Sequence, residues 1–292
     1  MLLRAFAKIN LDLRVLGQRP DGYHEIRTVL QTIDWFDEIR IDPDDRFEFV
    51  CRGLPLEGDE RNNLVVRAVR EYEKAAGQPV RARIELVKDI PAGAGLGGGS
   101  ADAAVTIMGL QEFCGRKLSA PELLVCLRRL GSDVPFFGVG GRATGIGRGD
   151  ELIPESDDAK ESDFWLVVVH SGVMISTAEA YSWLTVSGKS NTIEGFYAQV
   201  DSGREAGSPG NDFESAVFGR HPLLKEIKNE LLRLGARHAA LSGSGSAIFG
   251  QFDFRESAVK AASELVRFGT ARVTRPLSRV EYLQRVFVEG VS

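Results

Sequence analysis

Five glycines fall within the seven residues from Gly93 to Gly99, and Ser100 follows them where a helical pattern begins. Glycine has no Cβ, so backbone N–H groups along such a run can converge on an anion, and the helix behind it contributes its positive N-terminal end. The stretch Pro91-Ala92-Gly93-Ala94-Gly95-Leu96-Gly97-Gly98-Gly99-Ser100-Ala101 therefore reads as a phosphate cradle. Glycine density alone would favour a flexible surface loop, and the position before a helix argues against that. Two better-known phosphate motifs fail on context. Gly93, Gly95 and Gly98 spell G-x-G-x-x-G, but about 20 residues further on there is only Glu122, within a helical pattern, and no acid ending a strand to hold a ribose. Gly188-Lys189-Ser190 has the ending of a Walker loop, but Trp183 stands where its first glycine belongs.

Other residues could do chemistry beside such a cradle. Lys8 and Asn10 interrupt an apolar run two residues apart, which puts both on one face of a strand. A lysine there usually snorkels to solvent, and the asparagine reads equally as a polar edge position. Asp133 precedes Val134-Pro135; its carboxylate can accept a proton from an attacking hydroxyl or can simply cap a turn. Tyr23 and His24 follow Asp21-Gly22, as exposed aromatics on a hairpin turn would, yet an imidazole and a ring also suit a nucleobase. Thr177 and Tyr181 lie one helical turn apart and can face one pocket, with a plain core role open to Tyr181.

These groups must be carried by ordinary elements. β-branched and aromatic runs predict strands at Leu11–Leu16, Thr28–Trp35, Glu38–Ile41, Arg46–Cys51 and Arg81–Val87, with a helix from Asn63 to Ala76 between them. Further helices are predicted over Ser100–Phe113 and Ala120–Leu130, the second with Ser119 as cap, Pro121 in its first turn and Gly131 as stop. The glycine-dense stretch from Pro135 to Asp150 argues against a helix, and Ile153 to Asp163 is acidic and reads as a linker. Beyond it come a buried strand at Phe164–Val169, a helix near Ser176–Leu184 and a polar loop or short helices at Ser187–Gly210. A helix at His221–Leu234, strands at His238–Ser242 and Ala247–Phe252, a helix at Glu256–Phe268 and a strand at Arg272–Thr274 follow. The alternation points to a sheet with helices on one face.

Composition narrows the function classes. A chain of 292 residues that is 43% hydrophobic can bury one large core or two ordinary ones. Its net charge of −5 offers no general attraction to nucleic acid or an anionic membrane, so neither is expected as a partner. Cys51, Cys114 and Cys126 are odd in number and widely spaced, which reads as reduced structural thiols. Met1 to Lys8 reaches charge too soon for a signal-peptide core, and no long uncharged apolar stretch occurs, so a cytoplasmic location is expected. Repeats and heptads are absent.

The pattern P-x-G-x-G-L-G-x-x-S-[AS] at Pro91 to Ala101 resembles the second motif of the GHMP kinases. Ala7-Lys8-Ile9-Asn10-Leu11 resembles their first motif and Leu241-Ser242-Gly243-Ser244-Gly245-Ser246-Ala247 their third. The run G-x-R-x-D-G-Y-H from Gly17 to His24, with Gly131–Phe137 and Gly172–Thr177, is similar to the branch that phosphorylates diphosphocytidyl-methylerythritol. The resemblance implies a two-lobed α+β fold. Residues 1–152 would form an N-terminal ATP-binding lobe, 153–163 a linker, and 164–292 a C-terminal lobe with an antiparallel sheet covered by helices. It implies transfer of a phosphoryl group from ATP, with Mg²⁺, to the 2-hydroxyl of a cytidine diphosphate substrate in non-mevalonate isoprenoid precursor synthesis, by a monomer or homodimer.

By the same resemblance Asp133 is the base, Lys8 stands beside it, and Asn10 and Thr177 bind substrate. His24 hydrogen-bonds the cytosine edge, while Tyr23 and Tyr181 stack on the base. Pro91 to Ala101 hold ATP, and the Ser100 hydroxyl stands near the metal. Ala101 departs from the second serine that members often carry, which weakens a two-hydroxyl metal site. The alternatives are another GHMP kinase acting on a sugar, homoserine or mevalonate, and a nucleotide-binding sensor on the same fold.

Overall fold

A computed structural model describes residues 1–55, 59–156, 164–184 and 210–288. The chain opens with two long antiparallel strands, β1 (Leu2–Gln18) and β2 (His24–Pro43). Apolar periodicity predicts only fragments of them, because Lys8, Asn10, Thr28, Gln31, Thr32 and Asp37 are polar residues buried inside the strands. Register shifts fall between Phe6 and Lys8 and between Asn10 and Asp12, so irregular pairing flanks the two residues that sequence singles out. Such bulges re-aim side chains and cluster near functional sites.

β3 (Glu48–Gly53) runs parallel to β4 (Ala82–Lys88), and β5 (Arg142–Ile146) and β6 (Glu151–Pro154) complete the first sheet in the order β3-β4-β2-β5-β6, with β1 also on β2. Four described α-helices of this lobe precede the second sheet. In α1 (Leu64–Ala76) the Asn63 Oδ1 accepts from Val65 N at 2.8 Å, and α3 (Ala120–Leu130) starts with a capping box between Ser119 and Glu122. α2 (Gly98–Phe113) issues from the glycine run, two residues earlier than the sequence predicts. α4 (Val134–Val139) is a short helix inside the stretch where glycine density argues against one. Its residues before Gly138 are apolar and buried, and the glycines cluster beyond it, at its end and through β5.

The second sheet is antiparallel throughout, ordered β10-β7-β9-β8, from β7 (Trp165–His170), β8 (His238–Leu241), β9 (Ile248–Phe252) and β10 (Thr270–Thr274). α7 (Pro222–Arg233) and α8 (Arg255–Leu265) cover it through Leu224, Ile227, Leu231, Ala258, Ala261 and Leu265. Two shorter helices, α5 (Thr177–Ser182) and α6 (Glu214–Arg220), precede them. A separate apolar layer joins the sheets: Ala7, Ile9, Ile33 and Trp35 from the first with Leu166, Val168, Ala240 and Phe249 from the second.

The chain then turns back. Leu277, Tyr282 and Val286 enter the core of the first lobe, the last two from α9 (Arg279–Val286), so the range 164–292 is not one packed unit. α9 packs on β1, where the Tyr282 ring meets Phe6 edge to face at 5.9 Å. Tyr282 lies across Gly140, and its hydroxyl donates to the carbonyl of Phe137. β6 occupies the start of the predicted linker, while residues 157–163 and, except for Gly210, the loop or short helices expected at Ser187–Gly210 lie outside the described residues.

Candidate active site

Lys8 is almost fully buried, with 3% of its side chain exposed, and its ammonium stands 3.4 Å from Asp133 Oδ2. It donates to Asn10 Oδ1 at 2.7 Å; Asn10 Nδ2 donates to Thr28 Oγ1 at 2.7 Å, and that hydroxyl donates to the carbonyl of Asp12 at 2.8 Å. The chain of bonds fixes which way the Asn10 amide faces and holds the lysine in one direction. Asp133 stands immediately before α4, and its side chain makes no capping bond there. Its carboxylate, 46% exposed, is therefore committed to the cavity and to Lys8 and not to the helix.

The glycine run wraps over this pair. Leu96 O accepts from Lys8 N at 2.9 Å, tying the loop to β1. Gly97 has φ +69°, and a Cβ there would stand 2.7 Å from Phe137 Cζ and 3.0 Å from Lys8 Cγ. Gly95, at φ +75°, passes so close to the Leu241–Ala247 turn that a Cβ would meet the Ser242 carbonyl at 2.0 Å. Ser242 Oγ donates to Gly95 O at 2.9 Å and Ala247 N to Ala94 O at 3.0 Å. The two glycine motifs, far apart in sequence, are thus one interlocked surface.

Asn211 supports that surface and is missed by sequence reasoning, which runs the polar loop to Gly210. Its Nδ2 donates to Leu241 O at 2.8 Å and Gly243 O at 2.7 Å, and its Oδ1 accepts from Phe213 N at 2.9 Å. Beneath the loop lies a second group with no sequence signal beyond charge in an apolar setting. Lys88 Nζ donates to Asp37 Oδ2 and, at 2.8 Å, to Asp102 Oδ2, with all three side chains at most 3% exposed. Burial drives the Asp102 carboxyl up to about 8, against the opposing pull of Lys88. Lys88 is raised: burial works against its charge, and the two acids together outweigh it.

Two hollows meet here. One, of about 660 Å³, is lined by Lys8, Asn10, Tyr23, His24, Arg148 and Tyr181 among others; the other, of about 630 Å³, by the glycine run together with Cys51, Asn63 and Lys88. Gly95, Ser100, Asp133 and Thr177 line both. Thr177 starts α5 and its hydroxyl lies 3.3 Å from Ser244 Oγ.

The aromatics differ in part from expectation. Tyr23 is 54% exposed at the rim, where the Arg148 guanidinium stands 5.0 Å from its ring centre. His24 stacks directly on Tyr181, with centroids 4.6 Å apart and planes at 22°, so no base fits between those two rings. Tyr181 also meets Phe213 edge to face at 4.9 Å. Burial lowers the His24 pKa and, with the nearby Asp133 charge, lifts the Tyr181 hydroxyl up to about 12. Both are neutral near pH 7.

Among the described residues no group of three or more His, Cys, Asp or Glu side chains could hold a metal ion. Magnesium keeps several waters and needs only one or two protein oxygens when phosphates supply the rest. The Ser100 hydroxyl, at the junction of the two hollows, fits that sparse requirement. No helix among the described residues is long and apolar enough to cross a membrane.

Comparison with known proteins follows the same lines. The GHMP kinases N terminal domain matches residues 63–141 and the GHMP kinases C terminal domain residues 200–271. The chain is 45% identical over 291 residues to the 4-diphosphocytidyl-2-C-methyl-D-erythritol kinase of Solibacter usitatus (strain Ellin6076), covering 96% of this chain and 90% of that one. It is 40% identical over 269 residues to the enzyme of that name from Geobacter sp. (strain M21), covering 90% and 93%. A crystal structure of 4-(cytidine 5'-diphospho)-2C-methyl-D-erythritol kinase superposes with a TM-score of 0.79 at 34% identity, over 94% of this chain and 99% of that one. Homoserine kinase from Cytophaga hutchinsonii ATCC 33406 superposes with a TM-score of 0.64 at 19% identity, over 94% of each chain, a likeness of fold.

Proposed function

We propose a division of labour for these residues from the premise that the chain belongs to the GHMP kinases and, within them, to the 4-diphosphocytidyl-2-C-methyl-D-erythritol kinases. ATP is the substrate such a kinase implies, and its polyphosphate lies on the glycine run. The diphosphocytidyl substrate lies in the other hollow, its 2-hydroxyl reaching Asp133. The observation that carries this reading is the junction: two hollows of similar size share, among the described residues, Gly95, Ser100, Asp133 and Thr177, which is where a phosphoryl group would pass between two bound nucleotides.

In the transfer, the hydroxyl oxygen forms a bond to the γ-phosphorus as the bond to the ADP oxygen breaks, and the hydroxyl proton passes to Asp133. Lys8 faces the growing negative charge from a buried, prearranged position and needs no reorganisation to stabilise it. Asn10 presents its amide on the same strand face and, with Thr177, orients the polyol. A magnesium ion, when bound, would neutralise phosphate charge, with Ser100 as its protein ligand. The location consistent with this role is the cytoplasm.

At the base end, His24 is neutral and can both donate and accept along the cytosine edge. The base stacks on Tyr23, or on Tyr181 once the His24 ring turns aside, because the resting stack closes the space between His24 and Tyr181. The test is ADP release measured with 4-diphosphocytidyl-2-C-methyl-D-erythritol, mevalonate, homoserine and galactose in parallel. Turnover with the cytidyl substrate alone is expected; turnover with one of the others instead would overturn the assignment.

A further inference from the structure

We propose that Asp37, Lys88 and Asp102 are positioning residues that set the spacing of the phosphate cradle from beneath, an inference that rests on reading the glycine run as the ATP site. The connections reach both ends of the loop. On the entry side, Asp37 Oδ1 accepts from Asp89 N at 2.6 Å and Ile90 N at 2.8 Å, the two residues immediately before Pro91. On the exit side, Asp102 stands in the first turns of α2, two residues past Ser100. Lys88 bridges the two carboxylates. Its ammonium lies directly under the backbone, 3.1 Å from where a Cβ on Gly98 would stand.

The energetics separate this role from simple stability. One carboxylate, a second carboxyl group and an ammonium buried together cost more desolvation than their attraction reliably returns, and apolar groups of the same volume are often neutral or better. A stability argument therefore gives no reason for the triad, whereas a geometric one does. Three polar anchors fix the loop's entry relative to its exit, and an apolar patch would let them slide. Lys88 and Asp102 also line the hollow that the loop borders, so the bridge sits at the cradle and not in a remote core. Asp102 Oδ1 has no partner among the described residues, while its Oδ2 accepts from Lys88 at 2.8 Å.

Removing Lys88 would leave the Asp37 carboxylate facing a second buried acid without its cation and threaten the fold, so Asp102 is the better probe. Asp102→Ala cuts the bridge while Lys88 keeps Asp37; Asp102→Asn keeps shape and an acceptor for Lys88. Both KM values, kcat and Tm should be measured in each, with Gly98→Val as a direct perturbation of the loop. Asp102→Ala is expected to raise the ATP KM about tenfold, equivalent to about 1.4 kcal/mol. The cytidyl-substrate KM should change little even where Tm falls with the lost buried contact, and Asp102→Asn should recover most of the loss. A wild-type ATP KM in Asp102→Ala, or a parallel rise of both KM values with a falling Tm, would overturn the positioning role. If Gly98→Val also leaves ATP affinity unchanged, it is the ATP reading of the loop that has failed. If Gly98→Val weakens ATP and Asp102→Ala does not, only the triad's role has.

Discussion

Replacing Gly97 by alanine adds one methyl group, and the geometry states what it must displace. At φ +69° an L-residue occupies the left-handed region, at a cost of ~1–2 kcal/mol. The new Cβ would also stand 2.7 Å from Phe137 Cζ and within 3.1 Å of two carbons of Lys8. Carbon atoms pack best at about 3.5–4.0 Å, so something must move by close to an ångström. Phe137 is fully buried and cannot yield freely; overpacking of this kind costs ~1–3 kcal/mol. Together these amount to about 2–5 kcal/mol, or a fall in Tm of roughly 3–8 °C for a protein of this size. The easier escape is for Lys8 to shift, which stretches its 3.4 Å contact with Asp133. Misplacing a catalytic group by about 1 Å can cost 10²-fold in rate, so kcat should fall by about that factor. Gly99→Ala is the internal reference: its backbone is not left-handed and its Cβ meets only Leu64 Cδ1 at 3.3 Å, so Tm should stay near wild type. Calorimetric melts and steady-state ADP release on both variants decide it. If Gly97→Ala melts and turns over like Gly99→Ala, the argument that this glycine keeps Lys8 in place is wrong.

Three further outcomes are expected. Asp133→Asn preserves shape and removes the proton acceptor, so turnover should drop by ~10²- to 10⁴-fold with ATP affinity retained; near-normal turnover in the purified variant would remove Asp133 from the chemistry. Tyr181→Ala should raise the KM for the cytidyl substrate roughly 5- to 150-fold, the scale of losing ~1–3 kcal/mol of base stacking, while the ATP KM holds; a rise in the ATP KM instead would show that the two hollows are assigned the wrong way round. Burial lowers the pKa of His24, His170 and His238, so on acidification the unfolded chain takes up protons near pH 6.5 that the folded chain refuses. Their stabilising contribution is present above that pH and is lost as pH falls toward their folded values. Tm should decline from pH 7 to pH 5, less steeply in His238→Gln, and an unchanged slope there would count against the linkage.

How much of this was legible depended on whether a feature is local. The glycine run announces itself, because only a backbone stripped of Cβ atoms can sit against both Lys8 and the Ser242 carbonyl. Lys8 and Asn10 share a face by strand periodicity, and the bond between them follows. Asp133 was ambiguous between cap and acid until its missing cap bond could be seen. Long-range pairings were out of reach: Asn211 reads as the end of a polar loop, yet it clamps carbonyls more than 25 residues away in sequence. Asp37 and Lys88 look like faults in apolar strands until Asp102 is brought to them. The full length of β1 and β2 was hidden for the same reason, since buried polar residues break the apolar alternation that marks a strand.

The return of the chain end to the first lobe bears on how the protein is made. Domains emerging from a ribosome at about 5–20 residues per second generally fold as units, N-terminal first. Here that order is blocked, because Leu277, Tyr282 and Val286 belong to the same core as Leu3, Phe6 and Phe137. While the second sheet is being translated, the underside of β1 and the backbone at Gly140 wait for a ring that has not yet been synthesised. The nascent first lobe therefore carries exposed apolar surface until the codons for Leu277 to Val286 have been read. A message cut short before Leu277 would yield both glycine motifs and the Lys8–Asp133 pair on a lobe that cannot close.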